Sequence, residues 1–273
     1  MRAFLCAAGL CLLGFGPASA GEHDGLRALV TANDTKGWEA VGRLDIGETG
    51  FCTGALIAPD LVLTAAHCLF DPDSFERIAD SEVTFLAGFR NGRATAYRNA
   101  KSSAIHPDYI YDGPHGSEHV ASDIALIALD QPIRNGSVHP FKVGSRPRKG
   151  ASVQVVSYAH DRATRPSLEE ACDILGRPAG TLVMSCDVDF GSSGAPVFLV
   201  EDGEPQIVSV ISAKAEVRSR RVSLGTSLAR ILPELRAALD AAAPTVATAS
   251  GPMVNRPVDN TAPGRTGAKF VRP

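Results

Sequence analysis

From Glu39 onward the chain is a series of short apolar runs separated by turn-forming residues. Glu39–Ile46 (EAVGRLDI) alternates in part between apolar and polar. Cys52–Ile57 (CTGALI) and Leu61–Thr64 (LVLT) are apolar and parted by Ala-Pro-Asp, a turn signal. Thr95–Ile105, Asp123–Leu129, Ser152–Ser157, Thr181–Ser185, Ala195–Val200 and Gln206–Ala213 continue the series. Strands this short and this closely spaced predict an all-β chain of antiparallel barrels or sandwiches, not alternating βαβ units. One helical pattern comes late, where Leu228, Ile231, Leu232, Leu235 and Leu239 recur at helical spacing. It predicts a helix over 228–242, with Thr226-Ser227 as its cap and Pro233 in its first turns. Beyond it, residues 243–273 are rich in Pro, Ala, Thr and Gly without apolar periodicity, and are expected to form a flexible tail. No internal repeat occurs at solenoid periods.

The first twenty residues depart from this pattern. Arg2, the apolar run from Ala3 to Phe15 and the small residues Ala18-Ser19-Ala20 read as a secretory signal peptide over 1–20. No later stretch is apolar enough to span a bilayer, so a secreted or periplasmic product without a stable membrane anchor is expected. Residues 21–37 are then an N-terminal segment or a short propeptide. The net charge of −3 comes without a concentrated basic run, which argues against a nucleic-acid partner. Cys6 and Cys11 fall in the signal peptide, leaving Cys52, Cys68, Cys172 and Cys186. An even number in an exported chain predicts disulfides, and four cysteines allow three pairings. Cys52–Cys68 and Cys172–Cys186 are favoured, because each pair is close in sequence and flanks a candidate active-site segment. Each bridge would contribute about 3 kcal/mol. A zinc site is the competing interpretation, but it lacks any C-x-x-C knuckle.

Three segments carry candidate chemistry. A hydroxyl becomes a useful nucleophile near neutral pH when it has an adjacent base, an acid orienting that base, and donors for the developing oxyanion. Cys52–Ile57 followed by Leu63-Thr64-Ala65-Ala66-His67-Cys68 predicts a hairpin that delivers a histidine in a small-residue turn. Asp123 heads the apolar strand Ile124–Ile127, as suits a buried carboxylate. Asp189-Phe190-Gly191-Ser192-Ser193-Gly194-Ala195-Pro196 places a serine in a glycine turn whose backbone N–H groups can converge on one point. Each feature alone has an ordinary structural explanation: a turn histidine, a strand-end carboxylate, a Gly/Ser turn. Their joint presence in this order favours chemistry.

TAAHC, DIAL and GSSGAP resemble the three signature segments of the chymotrypsin/trypsin superfamily, in the same chain order, and GSSGAP is close to bacterial relatives of the glutamyl-endopeptidase kind. The resemblance spans roughly residues 38 to 232, with Trp38–Leu44 similar to the first barrel strand. It implies two packed antiparallel six-stranded β-barrels, about 38–135 and 136–227, followed by the C-terminal helix. It implies a monomeric serine endopeptidase that acts on polypeptides without cofactor or metal. Ser193 would attack the carbonyl, His67 act as base and then acid, and Asp123 orient His67. The Gly191 and Ser193 N–H groups would form the oxyanion hole. Ser212, Ala213 and Lys214 would pair with the extended substrate backbone. Asp187 would lie at the base of the specificity pocket and favour Arg or Lys.

The chain also departs from the superfamily. Ser192 stands where trypsins have the aspartate that pairs with a new N-terminal ammonium after zymogen cleavage, and no matching activation site precedes Trp38. Lys214 stands where trypsins have glycine; it either pairs with Asp187 and cancels the basic preference, or favours an acidic substrate side chain. Two rival functions follow. An α/β-hydrolase needs a histidine after its serine, and none follows Ser193. A catalytically silent binding protein of the same fold is the other, and the presence of all three triad residues favours an enzyme over it.

Overall fold

The computed structural model describes residues 25–47, 50–113, 119–228 and 231–242. The signal peptide and the tail 243–273 lie outside the described residues. The strands are β1 (Leu26–Ala28), β2 (Val41–Ile46), β3 (Gly50–Ala58), β4 (Leu61–Thr64), β5 (Val83–Ala87), β6 (Ala96–Ile105) and β7 (Ala125–Leu129). They continue with β8 (Lys142–Val143), β9 (Ser152–Ser157), β10 (Ser167–Gly176), β11 (Thr181–Met184), β12 (Pro196–Glu201), β13 (Glu204–Val217) and β14 (Arg220–Ser227). The helix α1 (Leu232–Ala242) ends the described chain.

Two closed six-stranded antiparallel barrels result. The first runs β2-β3-β4-β7-β6-β5 and closes where β5 pairs back onto β2. The second runs β9-β10-β11-β14-β13-β12 and closes through β12–β9. Burial explains the sequence pattern. Strand β4 is buried along its whole length and reads as a continuous apolar run. Strand β6 buries Ala96, Ala100 and Ala104 and turns polar residues outward between them. Leu44, Leu56, Leu63, Phe85 and Leu126 fill the first barrel and are fully buried. Trp38 and Phe141 meet the second barrel's Phe198 at centroid distances of 5.0 and 4.6 Å, both edge to face.

Several expectations need correction. The helix begins at Leu232 and not at 228, because Thr226 and Ser227 complete β14 and pair with β11 and β13 instead of capping a helix. The apolar spacing was still sound, since Leu228, Leu232, Leu235 and Leu239 are all buried. Strands β5, β10 and β14 have no counterpart in the apolar pattern. Strand β10 carries a run of charge, Glu169-Glu170, and β14 opens on Arg220-Arg221. Their backbone bonds and not their alternation place them. The segment ahead of Trp38 belongs to the fold. Strand β1 pairs with β10 through Leu26↔Glu169 and Ala28↔Ser167, and Leu29 is fully buried with its N–H donating to Pro166 O at 2.9 Å.

This integration has a measurable consequence. Leu29→Ala is expected to lower the stability of the whole domain by about 2–4 kcal/mol, the range for removing a large buried side chain. A fall in the urea midpoint measures it; an unchanged midpoint would show the segment to be dispensable.

Candidate active site

The segment after β4 turns sharply. Ala65 and Ala66 are fully buried, so only small side chains fit there, and a single 3-10 turn (His67–Leu69) follows. The disulfide Cys52–Cys68 ties that turn back to β3, with Cα atoms 6.2 Å apart. The second disulfide is Cys172–Cys186. Both favoured pairings therefore hold, and the four sulfurs are committed, which removes the thiolates a zinc site would need.

Asp123 lies two residues before β7 and is 3% exposed. Its Oδ1 accepts the His67 backbone N–H at 2.9 Å, and its Oδ2 lies 2.7 Å from His67 Nδ1. A carboxylate only accepts, so the imidazole proton sits on Nδ1 and Nε2 is left with its lone pair. Ser212 Oγ donates to the same Oδ2 at 2.5 Å. A register shift between Ile211 and Ala213 in β13 bends the strand at Ser212. Burial works to raise the Asp123 pKa, but the His67 charge and the hydrogen bonds from His67 and Ser212 outweigh it and hold the pKa below its ordinary value. Burial likewise works to depress the His67 pKa, and the Asp123 charge and hydrogen bond override it and hold it above 6.5.

Ser193 shares with His67 and Asp123 one cleft of about 700 Å³. Its turn is closed by Ser192 N–H donating to Asp189 O at 2.9 Å, with Gly191 at φ +93° in the third position. That pattern is a type II turn, which requires a positive φ there and so a glycine. Gly194, at φ +75°, is equally constrained, because a Cβ would collide with the Thr64 side chain and the Thr53 carbonyl. Among the described residues, the N–H groups of Gly191 and Ser193 have no hydrogen-bond partner. Gly191 and Ser193 both line the cleft, where unpaired backbone donors are available to an acceptor.

The candidate substrate-binding residues separate. Ser212, Ala213 and Lys214 line the cleft. Asp187 does not; it lies in an adjoining recess with Arg162, Glu216 and Arg221. Lys214 Nζ pairs with Asp189 Oδ1 at 2.7 Å and not with Asp187, and lies 4.4 Å from the centre of the Phe190 ring. Both side chains are more than half exposed, so the pair is worth at most about 1 kcal/mol. In the segment His106–Tyr109, His106 is buried and Tyr109 lines the cleft. Three contributors went unseen in the sequence. Thr53 and Thr226 bond to the site from opposite barrels, and Glu169 is a buried carboxyl behind it whose Oε2 accepts the Asp187 N–H at 2.9 Å.

A paired-barrel fold with a histidine–carboxylate pair and a serine turn on one cleft defines the class as a serine-peptidase scaffold. The trypsin family model matches residues 31–175, more than half of the chain, and the chain belongs to the trypsin family. A glutamyl endopeptidase of Bacillus licheniformis is 27% identical over 150 residues, covering 55% of this chain and 45% of the relative. Human mannan-binding lectin serine protease 1 is 27% identical over 39% of this chain and 16% of its own length. A modular serine protease of Drosophila melanogaster is 35% identical over 30% of this chain and 13% of its own length. The chain thus spans less than half the length of the curated relatives it matches. A solved structure of a Glu endopeptidase shares the fold, with a TM-score of 0.65 at 19% identity over 80% of this chain and 98% of the other.

Glu169 provides a test of this electrostatic description. Burial pushes its pKa up to about 7, with the Asp187 N–H and Arg162 pulling the other way. A carboxyl raised above its ordinary 4.5 gives its full relative stabilisation below pH 4.5 and loses it as pH rises through about 7. Glu169→Gln keeps the acceptor and cannot ionise. It should match the native protein at pH 4 and exceed it at pH 8 by roughly 1–3 kcal/mol, measured as paired urea midpoints. Equal midpoints at pH 8 would show Glu169 to be uncharged there or freely solvated.

Proposed function

We propose that the protein is an exported serine endopeptidase that hydrolyses peptide bonds in polypeptides through an acyl-enzyme. The observation that carries this is the Asp123–His67 pair. A buried carboxylate holds His67 at two points, its backbone N–H and its Nδ1, and leaves Nε2 unprotonated, in the cleft that also holds Ser193. In this reading Nε2 takes the Ser193 proton as Oγ attacks the scissile carbonyl. Asp123 stabilises the imidazolium that forms, and the Gly191 and Ser193 N–H groups donate to the tetrahedral oxyanion. Collapse of that intermediate breaks the C–N bond. The imidazolium gives its proton to the leaving nitrogen as that bond breaks, so a neutral amine departs, and water then repeats the sequence on the ester. Ser212, Ala213 and Lys214 present the strand on which an extended substrate lies.

The family match over 31–175 includes His67 and Asp123 and stops short of Ser193, so the serine's role rests on the turn and its unpaired donors. Two disulfides fit an oxidising compartment, which supports export. Among the described residues no helix is long and apolar enough to cross a membrane.

A fluorophosphonate that phosphonylates active serines tests this directly. The purified chain should gain one adduct, mapped to Ser193 by peptide mass, and Ser193→Ala should gain none. Absence of labelling in a folded sample would support the binding-protein alternative. The pH profile tests the base. The labelling rate should fall on acidification with a midpoint above 6.5, because protonated His67 cannot accept. Asp123→Asn should move that midpoint down and cut the rate by about 10³–10⁴-fold.

A further inference from the structure

The turn that carries Gly191 and Ser193 has a built-in weakness. A type II turn becomes type I by flipping its central peptide, here Phe190–Gly191. The flip would rotate the Gly191 N–H away from the cleft and leave one oxyanion donor instead of two. With Ser192 where trypsins have aspartate, no acid–ammonium pair holds this turn, so something else must.

The holding bonds come from inside the fold. The Phe190 carbonyl accepts the His160 N–H at 2.7 Å, which points the Gly191 N–H the opposite way. Thr53, on β3 of the first barrel and fully buried, bonds this turn twice. Its Oγ1 donates to Gly191 O at 2.8 Å, and its backbone N–H donates to Ser193 O at 2.9 Å. The same Oγ1 accepts the Tyr158 N–H at 3.0 Å, and the Thr53 carbonyl accepts Thr64 Oγ1 at 2.9 Å. One threonine thus fixes the carbonyls on both sides of Ser192 and connects them to both barrels. Ser192, also fully buried, completes the clamp from below. Its Oγ lies 3.3 Å from both Ser157 Oγ and Tyr158 O and accepts the Asp189 N–H at 3.4 Å. Ser157 Oγ in turn accepts from Arg162 Nη2 at 3.4 Å. These contacts are long, so the Ser192 hydroxyl is held by several weak bonds and Thr53 supplies the strong ones.

We infer that Thr53, supported by Ser192, is the positioning residue that holds the oxyanion turn in its working shape, so that the chain is competent with the segment before Trp38 still attached. That segment is itself paired as β1 and buried at Leu29, which fits a terminus that is not released to activate the enzyme. The inference rests on the proposed role of Ser193 and adds to it a neutral lock.

The test uses the full chain and the fluorophosphonate labelling rate at Ser193, with intact mass confirming that the segment before Trp38 is present. Thr53→Val keeps the shape of the side chain and loses both hydroxyl bonds. It should slow labelling by ~10–100-fold, up to the ~10²-fold cost of losing one oxyanion donor. Thr53→Ser restores the hydroxyl and should recover the rate to within roughly threefold, which loss of packing alone would not produce. Wild-type rates in folded Thr53→Val overturn the inference while leaving Ser193 as the nucleophile. So does labelling that begins only after cleavage ahead of Trp38. Absence of wild-type labelling, cut or uncut, overturns the proposed function itself. If Thr53→Val does not fold, Ser192→Ala decides: slower labelling supports the clamp, and an unchanged rate overturns it.

Discussion

Everything in the cleft is arranged around one ionised carboxylate that has been taken out of water. Asp123 is almost fully buried, and an unpaired charge there would cost several kcal/mol. It is tolerated because its oxygens receive three hydrogen bonds, two from His67 and one from Ser212. His67 belongs to the first barrel and Ser212 to the second. The carboxylate is therefore satisfied only when both barrels are formed and docked. Its backbone carbonyl, which accepts Thr226 Oγ1 at 2.9 Å, depends on the second barrel as well. A single buried charge thus couples the packing of the two halves to the orientation of the imidazole.

Neutral hydroxyls do the same work on the serine side of the cleft. Thr53 reaches from the first barrel into the serine turn, and Tyr158 reaches back, its hydroxyl donating to Phe89 O at 2.7 Å. Among the described residues, hydrogen bonds from Thr53, Tyr158, Ser212 and Thr226 cross between the barrels. Hydrophobic contacts such as Phe198 against Trp38 and Phe141 supply the attraction, and the hydroxyls supply the register. This division explains why the functional groups sit at the seam. A cleft between two rigid barrels keeps His67 and Ser193 on separate supports whose relative position is set by bonds that tolerate little slip.

How much of this was legible in the sequence depended on whether a signal was local. The strands β4 and β9 were readable to the residue, because each is a short apolar run ended by turn residues. His67, Asp123 and Ser193 were found through their immediate neighbours and their order along the chain. Strand β10 was not, because its pairing with β1, β9 and β11 overrides a charged local sequence. Thr226 stands before an apolar helical pattern and so reads as a helix cap, whereas tertiary pairing with β11 and β13 places it in β14. Asp187 and Asp189 are two residues apart, and nothing local says which one faces the cleft. Alternation along a turn is not fixed as it is along a strand. Thr53 carries no local signal of its role, since Gly191, Ser193 and Tyr158, which it ties together, lie more than a hundred residues away.

The substitution at Ser192 then acquires a physical meaning. A buried acid in that place needs a cation, and in trypsins the cation is made by cutting the chain, so that activity waits on proteolysis. A buried hydroxyl needs only ordinary hydrogen-bond partners, and Ser157, Tyr158 and the Asp189 N–H provide them from residues already in the fold. The individual bonds are weaker than a charge pair, and a turn held by Ser192 alone would be prone to flip. Thr53 resolves this by binding the carbonyls of Gly191 and Ser193 directly. The lock is then made of groups that do not titrate near neutral pH and that form as soon as the barrels dock. Assembly of the fold and assembly of the proposed oxyanion site then become one event, with the buried carboxylate on one side of the cleft and the threonine on the other enforcing the same alignment.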